Sequence, residues 1–164
     1  MRSASSRTAM IRVSRSRAEA LRAVLAGLVA AAALPAAAAE FLSVADDAAV
    51  LYDAPSRAAT PLWVVSRHYP LEVIVKLEAW MKVRDHTGTL SWIEKRQLSD
   101  KRMLIVTAPS VEVRQRPEDQ APVAFVAAQN VALEWQGVAP GGWLRVRHPD
   151  GANGYLRATQ VWGS

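Results

Sequence analysis

The chain has 164 residues, of which 20 are Lys or Arg and 15 are Asp or Glu, and its formal net charge is +5. It contains no cysteine, which excludes disulfides, thiolate metal sites and a cysteine nucleophile. Six of the basic residues and one acid lie within residues 1–22, so the rest of the chain carries 14 of each sign. A neutral chain lacks the positive surface that phosphate binding needs, and we expect no nucleic-acid partner.

The N-terminal segment is typical of a secretory signal peptide. A basic stretch at residues 1–22 precedes an uncharged run rich in Ala, Leu and Val at residues 23–39, which ends in small residues. We predict cleavage after Ala39, a periplasmic or secreted protein, and no stable insertion in the membrane. The alternative is a retained anchor, although a spanning helix needs about 17 to 25 apolar residues. The start remains open between Met1 and Met10.

Short apolar or β-branched segments fill the chain from residue 41 onward, and most are separated by Asp, Pro, Gly or Ser. Segments of this length and spacing predict the antiparallel strands of a barrel or sandwich rather than helices. The first half contains segments at residues 41–44, 50–52, 62–65, 71–77, 80–83 and 90–93. The second half contains segments at residues 104–106, 111–113, 123–126, 131–135, 143–146 and 153–156.

One pattern of landmarks occurs twice in this series. Each of its members recurs 63 positions later, as Trp80, Val83, Gly88 and Trp92 followed by Trp143, Val146, Gly151 and Tyr155. The pattern predicts an all-β protein of two tandem modules, residues 40–101 and 102–164, behind a signal peptide at residues 1–39. Modules of about 60 residues bury only a modest fraction of their surface, so we expect the two copies to pack on each other.

Period-two alternation assigns the faces of the tryptophan strands. Trp80, Lys82 and Arg84 share one face. Because two cations are rarely buried together, we expect that face to be the wetter one. Pairing of Met81 with Ile93 across the hairpin would also turn Trp92 outward. The second copy repeats the arrangement with Trp143, Arg145 and Arg147.

Residues that perform catalysis form no recognisable constellation in the sequence. The three histidines, His68, His86 and His148, have no ligand-like partners at close helical spacing. The acidic pairs at residues 46–47 and 118–119 fall in predicted turns, where acids are common turn formers. No Gly-x-Ser-x-Gly elbow and no Gly-rich phosphate loop occurs. We therefore predict no enzymatic activity, no metal and no cofactor.

A family resemblance emerges from these motifs. The tryptophan strand, the turn with glycine and the following Trp-Ile or Tyr-Leu pair resemble the distal hairpin of bacterial Src homology 3-like domains. The run from Tyr69-Pro70-Leu71 to Arg84-Asp85 is similar to the exported tandem subfamily of Gram-negative bacteria. The resemblance covers nearly all of residues 41–164 and implies two small β-barrels. Two departures stand in the first copy: Ser91 replaces the glycine that Gly154 retains, and no Asn-Val-Arg-type run precedes Pro55.

The resemblance also implies a binding site. Tyr52, Trp80 and Trp92 match the aromatic groove of the fold in the first copy, with Arg84 and Asp85 as polar orienting groups. Trp143 and Tyr155 match the groove positions of the second copy. Another interpretation is that these aromatics only cover the barrel or form the contact between the two copies. We expect core or interface positions for the other tryptophans, Trp63, Trp135 and Trp162.

Two functions are compatible with this sequence. The first is a non-catalytic exported module that binds peptidoglycan or an extended peptide of an envelope protein, since aromatic side chains offer large amphipathic contact area. The second is a structural or scaffolding subunit of an envelope complex, in which the aromatic surface is buried against a protein partner and no small ligand exists.

Overall fold

A computed structural model describes residues 39–164 of the chain. The predicted signal peptide, apart from Ala39, lies outside the described residues, so its cleavage and the choice of start remain predictions. Within residues 39–164, no helix has the length and hydrophobicity that a membrane span requires.

The first copy folds as one antiparallel sheet of seven strands. The strand order across the sheet is β3-β2-β6-β5-β4-β1-β7. The 3₁₀ turn Lys95–Gln97 separates the last two strands in the chain. The strands are β1 (Phe41–Val44), β2 (Ala48–Tyr52), β3 (Pro61–Ser66), β4 (Pro70–Lys76), β5 (Trp80–Arg84), β6 (Leu90–Glu94) and β7 (Leu98–Ser99).

The second copy repeats this topology. Its order, β10-β9-β13-β12-β11-β8-β14, is the first order advanced by seven strands. A 3₁₀ turn at Ala158–Gln160 again precedes the last strand. The strands are β8 (Met103–Val106), β9 (Ser110–Arg114), β10 (Val123–Ala128), β11 (Ala132–Ala139), β12 (Trp143–Arg147), β13 (Asn153–Arg157) and β14 (Val161–Trp162). The all-β class and the tandem repeat are confirmed, although the two-residue strands β7 and β14 were not among the predicted segments.

Each sheet curls around its own apolar core. Alternating residues point inward, as the period of two requires, and burial of each such leucine or isoleucine contributes about 1.5–3 kcal/mol. The first core contains Val44, Ala49, Leu51, Val65, Leu71, Met81, Val83 and Ile93. The second contains Leu104, Val106, Val111, Val113, Ala127, Leu133, Leu144, Val146, Leu156 and Val161.

The position that is Ser91 in the first copy and Gly154 in the second lies close against a neighbouring strand. In the second copy, a Cβ on Gly154 would lie 2.6 Å from Val113 Cγ1 and 2.7 Å from the Arg114 carbonyl oxygen, so only glycine fits against β9. The first copy accommodates Ser91 at this position, but it buries the Ser91 hydroxyl without a hydrogen-bond partner. A buried hydroxyl without a partner costs about 1–3 kcal/mol.

The two copies pack on each other, as their small size predicted. Phe41 of the first copy meets Trp162 of the second edge to face, with ring centroids 5.0 Å apart. The Arg102 guanidinium lies 5.5 Å from the Phe41 ring and 4.7 Å from the Trp135 ring. Arg102 also donates a hydrogen bond of 2.9 Å to the Gly163 carbonyl oxygen. Phe41 of the first copy and Trp162 and Arg102 of the second together form the joint between the repeats.

Candidate functional site

Strand register brings three of the expected aromatic residues together on the outer surface of the first copy. Met81 pairs with Ile93, as the sequence predicted, so Trp92 faces outward. Trp92 is in turn the register partner of Tyr52 on β2. Trp80 stands on the same surface of β5. We call Tyr52, Trp80 and Trp92 the outer aromatic cluster.

The outer aromatic cluster has a defined geometry. The Tyr52 and Trp80 rings meet edge to face, with centroids 5.6 Å apart and planes at 84°. Lys82 Nζ lies 5.9 Å from the centroid of the Trp92 ring. All three aromatic side chains are half-buried and therefore keep part of their rings open to solvent. Such rings bind flat or extended groups by stacking, and the nearby ammonium adds a polar contact.

A group of ion pairs stands at one end of the cluster. Glu94, the register partner of Trp80, accepts hydrogen bonds of 2.8 Å from Arg57 Nε and Nη2 and from Arg96 Nε. The bonds from Arg57 and then Arg96 hold the pKa of Glu94 at about 2, below its ordinary value of 4.5. Beside these residues is a cavity of about 440 Å³, lined by Glu78, Ala79, Glu94, Lys95 and Arg96.

Arg84 and Asp85 do not join the outer aromatic cluster. Arg84 lies four residues beyond Trp80, about 13 Å along the strand at roughly 3.3 Å per residue. Its guanidinium is paired with Glu72 through two hydrogen bonds of 2.8 Å. Arg84 lies nearer to Trp92, since its register partner Leu90 is two residues before Trp92, and a role of Arg84 and Asp85 in orienting a ligand stays a prediction.

Asp85 organises the turn between β5 and β6. The side chain is only 6% exposed. Its Oδ1 accepts hydrogen bonds from Thr87 N at 2.9 Å, from Thr87 Oγ1 at 2.6 Å and from Thr89 N at 3.0 Å. An aspartate that accepts backbone N–H bonds two residues onward forms an Asx turn.

The second copy differs at its tryptophan. Trp143 shares a face with the exposed Arg145 and Arg147, as the alternation predicted, but it is only 5% exposed, so its ring is not open as a groove residue. Arg157, its register partner, places the guanidinium carbon 4.1 Å from the Trp143 ring centroid. Asp119 holds Arg157 Nη2 with bonds of 2.7 and 2.8 Å. Tyr155 is half-buried. Its register partners are Arg145 on β12 and Arg114 on β9.

The chain matches a known family in both of these copies. A family model described as bacterial SH3 domain matches residues 45–100 and 107–163. The chain belongs to the bacterial SH3 domain family. The predicted tandem of Src homology 3-like units is thereby confirmed, and each unit is called an SH3 repeat below. No curated protein sequence matches the chain significantly.

Solved structures also share similarity with these SH3 repeats. NlpC1 from Trichomonas vaginalis is 13% identical with a TM-score of 0.36, and the match covers 84% of this chain and 50% of that one. NlpC2 from Trichomonas vaginalis is 12% identical with a TM-score of 0.35, covering 77% and 48%. An NlpC/P60 family protein from Bacillus cereus is 16% identical with a TM-score of 0.35, covering 74% and 55%. The chain thus spans about half the length of the structures it matches.

Trp63 occupies an unexpected position in the first SH3 repeat. The sequence favoured a core or interface position, but Trp63 is 41% exposed because β3 ends the sheet order. It lines an open cavity of about 460 Å³ together with Tyr69 and Asp85. Sequence reasoning missed this cavity, since only the fold places β3 beside the β5–β6 turn. Trp162 does lie at the interface, and Trp135 packs half-buried against the second core.

The histidines each have a different neighbour in the SH3 repeats. His86 Nδ1 shares a hydrogen bond of 2.6 Å with the Tyr69 hydroxyl. His148 Nδ1 lies 2.9 Å from Asp150 Oδ1. Partial burial, and then the charge of Lys101, lower the pKa of His68. Among residues 39–164, no three His, Asp or Glu side chains cluster in a way that would hold a metal ion.

Proposed function

We propose that this protein is a non-catalytic, exported binding module whose first SH3 repeat binds peptidoglycan or an extended peptide of the cell envelope. The observation that carries the proposal is the outer aromatic cluster. Tyr52 and Trp80 form an edge-to-face pair, and the neighbouring Trp92 keeps part of its indole open beside Lys82. Export is inferred from the predicted signal peptide.

The surroundings of the cluster favour binding over chemistry. Glu94 is engaged by Arg57 and Arg96, so these charged groups hold each other rather than stand ready for proton transfer. Stacking on aromatic rings suits extended ligands that carry few charges, including peptides in extended or polyproline conformation. The covered Trp143 of the second repeat offers no equivalent surface, and we therefore assign the ligand to the first repeat.

A pull-down with insoluble peptidoglycan tests the proposal. The wild-type protein should be retained, and a Trp80→Ala/Trp92→Ala double variant should pass into the supernatant while keeping its β-sheet circular dichroism. Val138→Ala is the control, since it removes an exposed apolar side chain that lies outside the cluster. Equal retention of all three proteins would show that the cluster is not the binding surface. Absence of wild-type retention would rule out the wall ligand and leave the envelope peptide.

A specific observation favours a second candidate, the structural subunit. Within residues 39–164, strand β3 is paired along one edge only, because it ends the sheet order. Its residues Pro61–Ser66 carry no charge, and Leu62, Trp63 and Val64 are 38%, 41% and 63% exposed. An apolar, uncharged edge strand is a template for pairing with a strand of another chain.

Size-exclusion chromatography with light scattering separates this candidate from the first. A subunit that pairs through β3 should self-associate with rising concentration or co-elute with a fixed partner. Leu62→Lys, which places a charge on the edge, should then abolish the association and leave peptidoglycan retention unchanged. A monomer at every concentration that carries no partner would contradict the structural role.

A further inference from the structure

A second concave surface of the first SH3 repeat lies apart from the outer aromatic cluster. This cavity of about 460 Å³ opens between β3 and the β5–β6 turn. None of the three cluster residues lines it. Its lining consists of Trp63, Val64, Val65, Tyr69, Asp85, Thr87 and Thr89.

The cavity contains one charged lining residue, Asp85, which is only 6% exposed. All three hydrogen bonds of its turn end on Oδ1. Among the residues that the structure describes, no donor reaches Oδ2. A carboxylate oxygen held in such surroundings favours a ligand that brings hydrogen-bond donors and a positive charge.

The other walls fit the rest of such a ligand. Val64 and Val65 supply apolar surface for a methylene chain, and Trp63 presents a ring that is 41% exposed. Aromatic rings also attract ammonium groups through their negative faces. The hydroxyls of Thr87 and Thr89, which lie 2.9 Å apart, add acceptors at the rim.

Tyr69 lines the cavity as an uncharged group whose hydroxyl is engaged with His86 rather than with Asp85. Burial, and then the charge of Asp85, raise the pKa of the Tyr69 hydroxyl to about 12, so it stays uncharged near neutral pH. That hydroxyl already shares its hydrogen bond of 2.6 Å with His86 Nδ1. The negative charge of Asp85 therefore remains available to a ligand.

The second SH3 repeat provides an internal comparison. His148 donates its backbone N–H to Ala152 as Asp85 does to Thr89, so the histidine stands where the first repeat has the aspartate. Phe125 pairs with Val113 as Trp63 pairs with Leu51. The His148 and Phe125 rings pack against each other with centroids 5.6 Å apart. The second repeat thus places two rings together where the first keeps a carboxylate beside an open tryptophan.

We propose that this cavity binds an alkylammonium group, such as the end of a lysine or diamino acid side chain, with the ammonium on Asp85 and the methylene chain along Trp63 and Val64. The site is independent of the outer aromatic cluster. A neutral sugar would also stack on Trp63, but it would provide no positive charge to pair with Asp85.

The test uses Nα-acetyl-lysine methylamide as the probe and its Nζ-acetylated form as the uncharged counterpart. Both are titrated into the isotope-labelled full chain, and the Trp63 indole resonance is followed by NMR. The charged probe should shift this resonance saturably, and the uncharged form should bind at least about tenfold more weakly, as expected for loss of a charge-assisted hydrogen bond.

Substitutions test whether the carboxylate of Asp85 binds the charged probe. Asp85→Asn keeps the Oδ1 acceptor of the turn but removes the negative charge. It should lower the affinity for the charged probe by about tenfold or more. Asp150→Asn is the matched control, because Asp150 caps the corresponding turn of the second repeat through Ala152. This control should bind the probe as the wild type does, and so should the Trp80→Ala/Trp92→Ala variant.

Further controls guard against a trivial loss of structure. The amide resonances of Thr87 and Thr89 report whether the turn survives in Asp85→Asn. Trp63→Leu leaves the turn untouched and should also weaken binding of the charged probe. Equal binding of the charged and uncharged probes, unchanged affinity in a folded Asp85→Asn variant, or no shift of Trp63 at any probe concentration would overturn the proposal. None of these outcomes bears on peptidoglycan retention by the outer aromatic cluster.

Discussion

Glu94 and Arg157 occupy equivalent positions in the two SH3 repeats and carry opposite charges. Each is held by a residue of opposite sign from the loop between the second and third strands of its repeat. Arg57 binds Glu94 with two bonds of 2.8 Å, and Asp119 binds Arg157 with bonds of 2.7 and 2.8 Å. The same loop-to-strand connection is thus built twice with its charges exchanged.

The exchange decides which tryptophan is covered. Arg157 lies over Trp143, whereas the shorter Glu94 leaves Trp80 half-buried. We expect Arg157→Ala to uncover Trp143 and to lower the free energy of unfolding by about 1–2 kcal/mol, the sum of a cation–π contact and an exposed ion pair. Urea denaturation and solvent exchange of the Trp143 indole N–H measure the two effects. Arg145→Ala is the control and should change stability by less than about 0.5 kcal/mol; equal losses in both variants would contradict this account.

Stability should depend on pH through Glu94. Its folded pKa of about 2 lies below the ordinary value of 4.5, so folding favours the charged form. The resulting stabilisation is complete above about pH 4.5 and is lost as the pH falls from there toward 2. The melting temperature of the wild type should therefore fall more steeply over this window than that of Glu94→Gln. Parallel curves for the two proteins would show that the ion pairs with Arg57 and Arg96 do not form in solution.

Substitution by alanine should change the free energy of unfolding in opposite directions at Ser91 and at Gly154. Ser91→Ala removes a buried hydroxyl that has no partner, and it should raise the free energy of unfolding by about 1 kcal/mol. Gly154→Ala forces a methyl group against Val113 and the Arg114 carbonyl, and it should lower that free energy by about 1–3 kcal/mol. Urea midpoints of the two variants compare them directly. Destabilisation by Ser91→Ala would indicate that the hydroxyl has a partner in solution.

Phe41 should couple the two repeats. It is buried against Trp162 and lies beneath Arg102, so Phe41→Ala should lower the free energy of unfolding by about 3 kcal/mol or more. Calorimetry should resolve two transitions in this variant and one in the wild type. Phe41→Leu retains most of the apolar volume and should keep a single transition at a slightly lower temperature. A single unchanged transition in Phe41→Ala would mean that the joint contributes little.

The local sequence pattern was sufficient to predict the main strands and part of the candidate site. Alternation along β5 and the short hairpin to β6 predicted that Met81 pairs with Ile93 and that Trp92 faces outward. Both follow because a hairpin with a given loop length permits one register. The recurrence of the landmarks after 63 residues likewise predicted the repeat, since each copy must satisfy the same core alternation.

Contacts between distant residues were beyond the reach of that pattern. Trp143 is covered because Asp119, 38 positions before Arg157, holds the guanidinium above the ring. Trp63 is exposed because β3 ends the order of the strands that the structure describes. The alternation of a single strand contains no information on either, because strand order and loop approach depend on how the whole sheet curls.

The sequence by itself determined an all-β chain of two related modules, the hairpin register and the identity of the aromatic and acidic side chains. These follow from local periodicity and turn chemistry. Tertiary structure alone decided which aromatic rings stay open, and it brought Asp85 beside Trp63 and Tyr69 in one cavity. The physical reason is that exposure and electrostatic environment depend on residues far apart in the chain that only the curled sheet brings within contact distance.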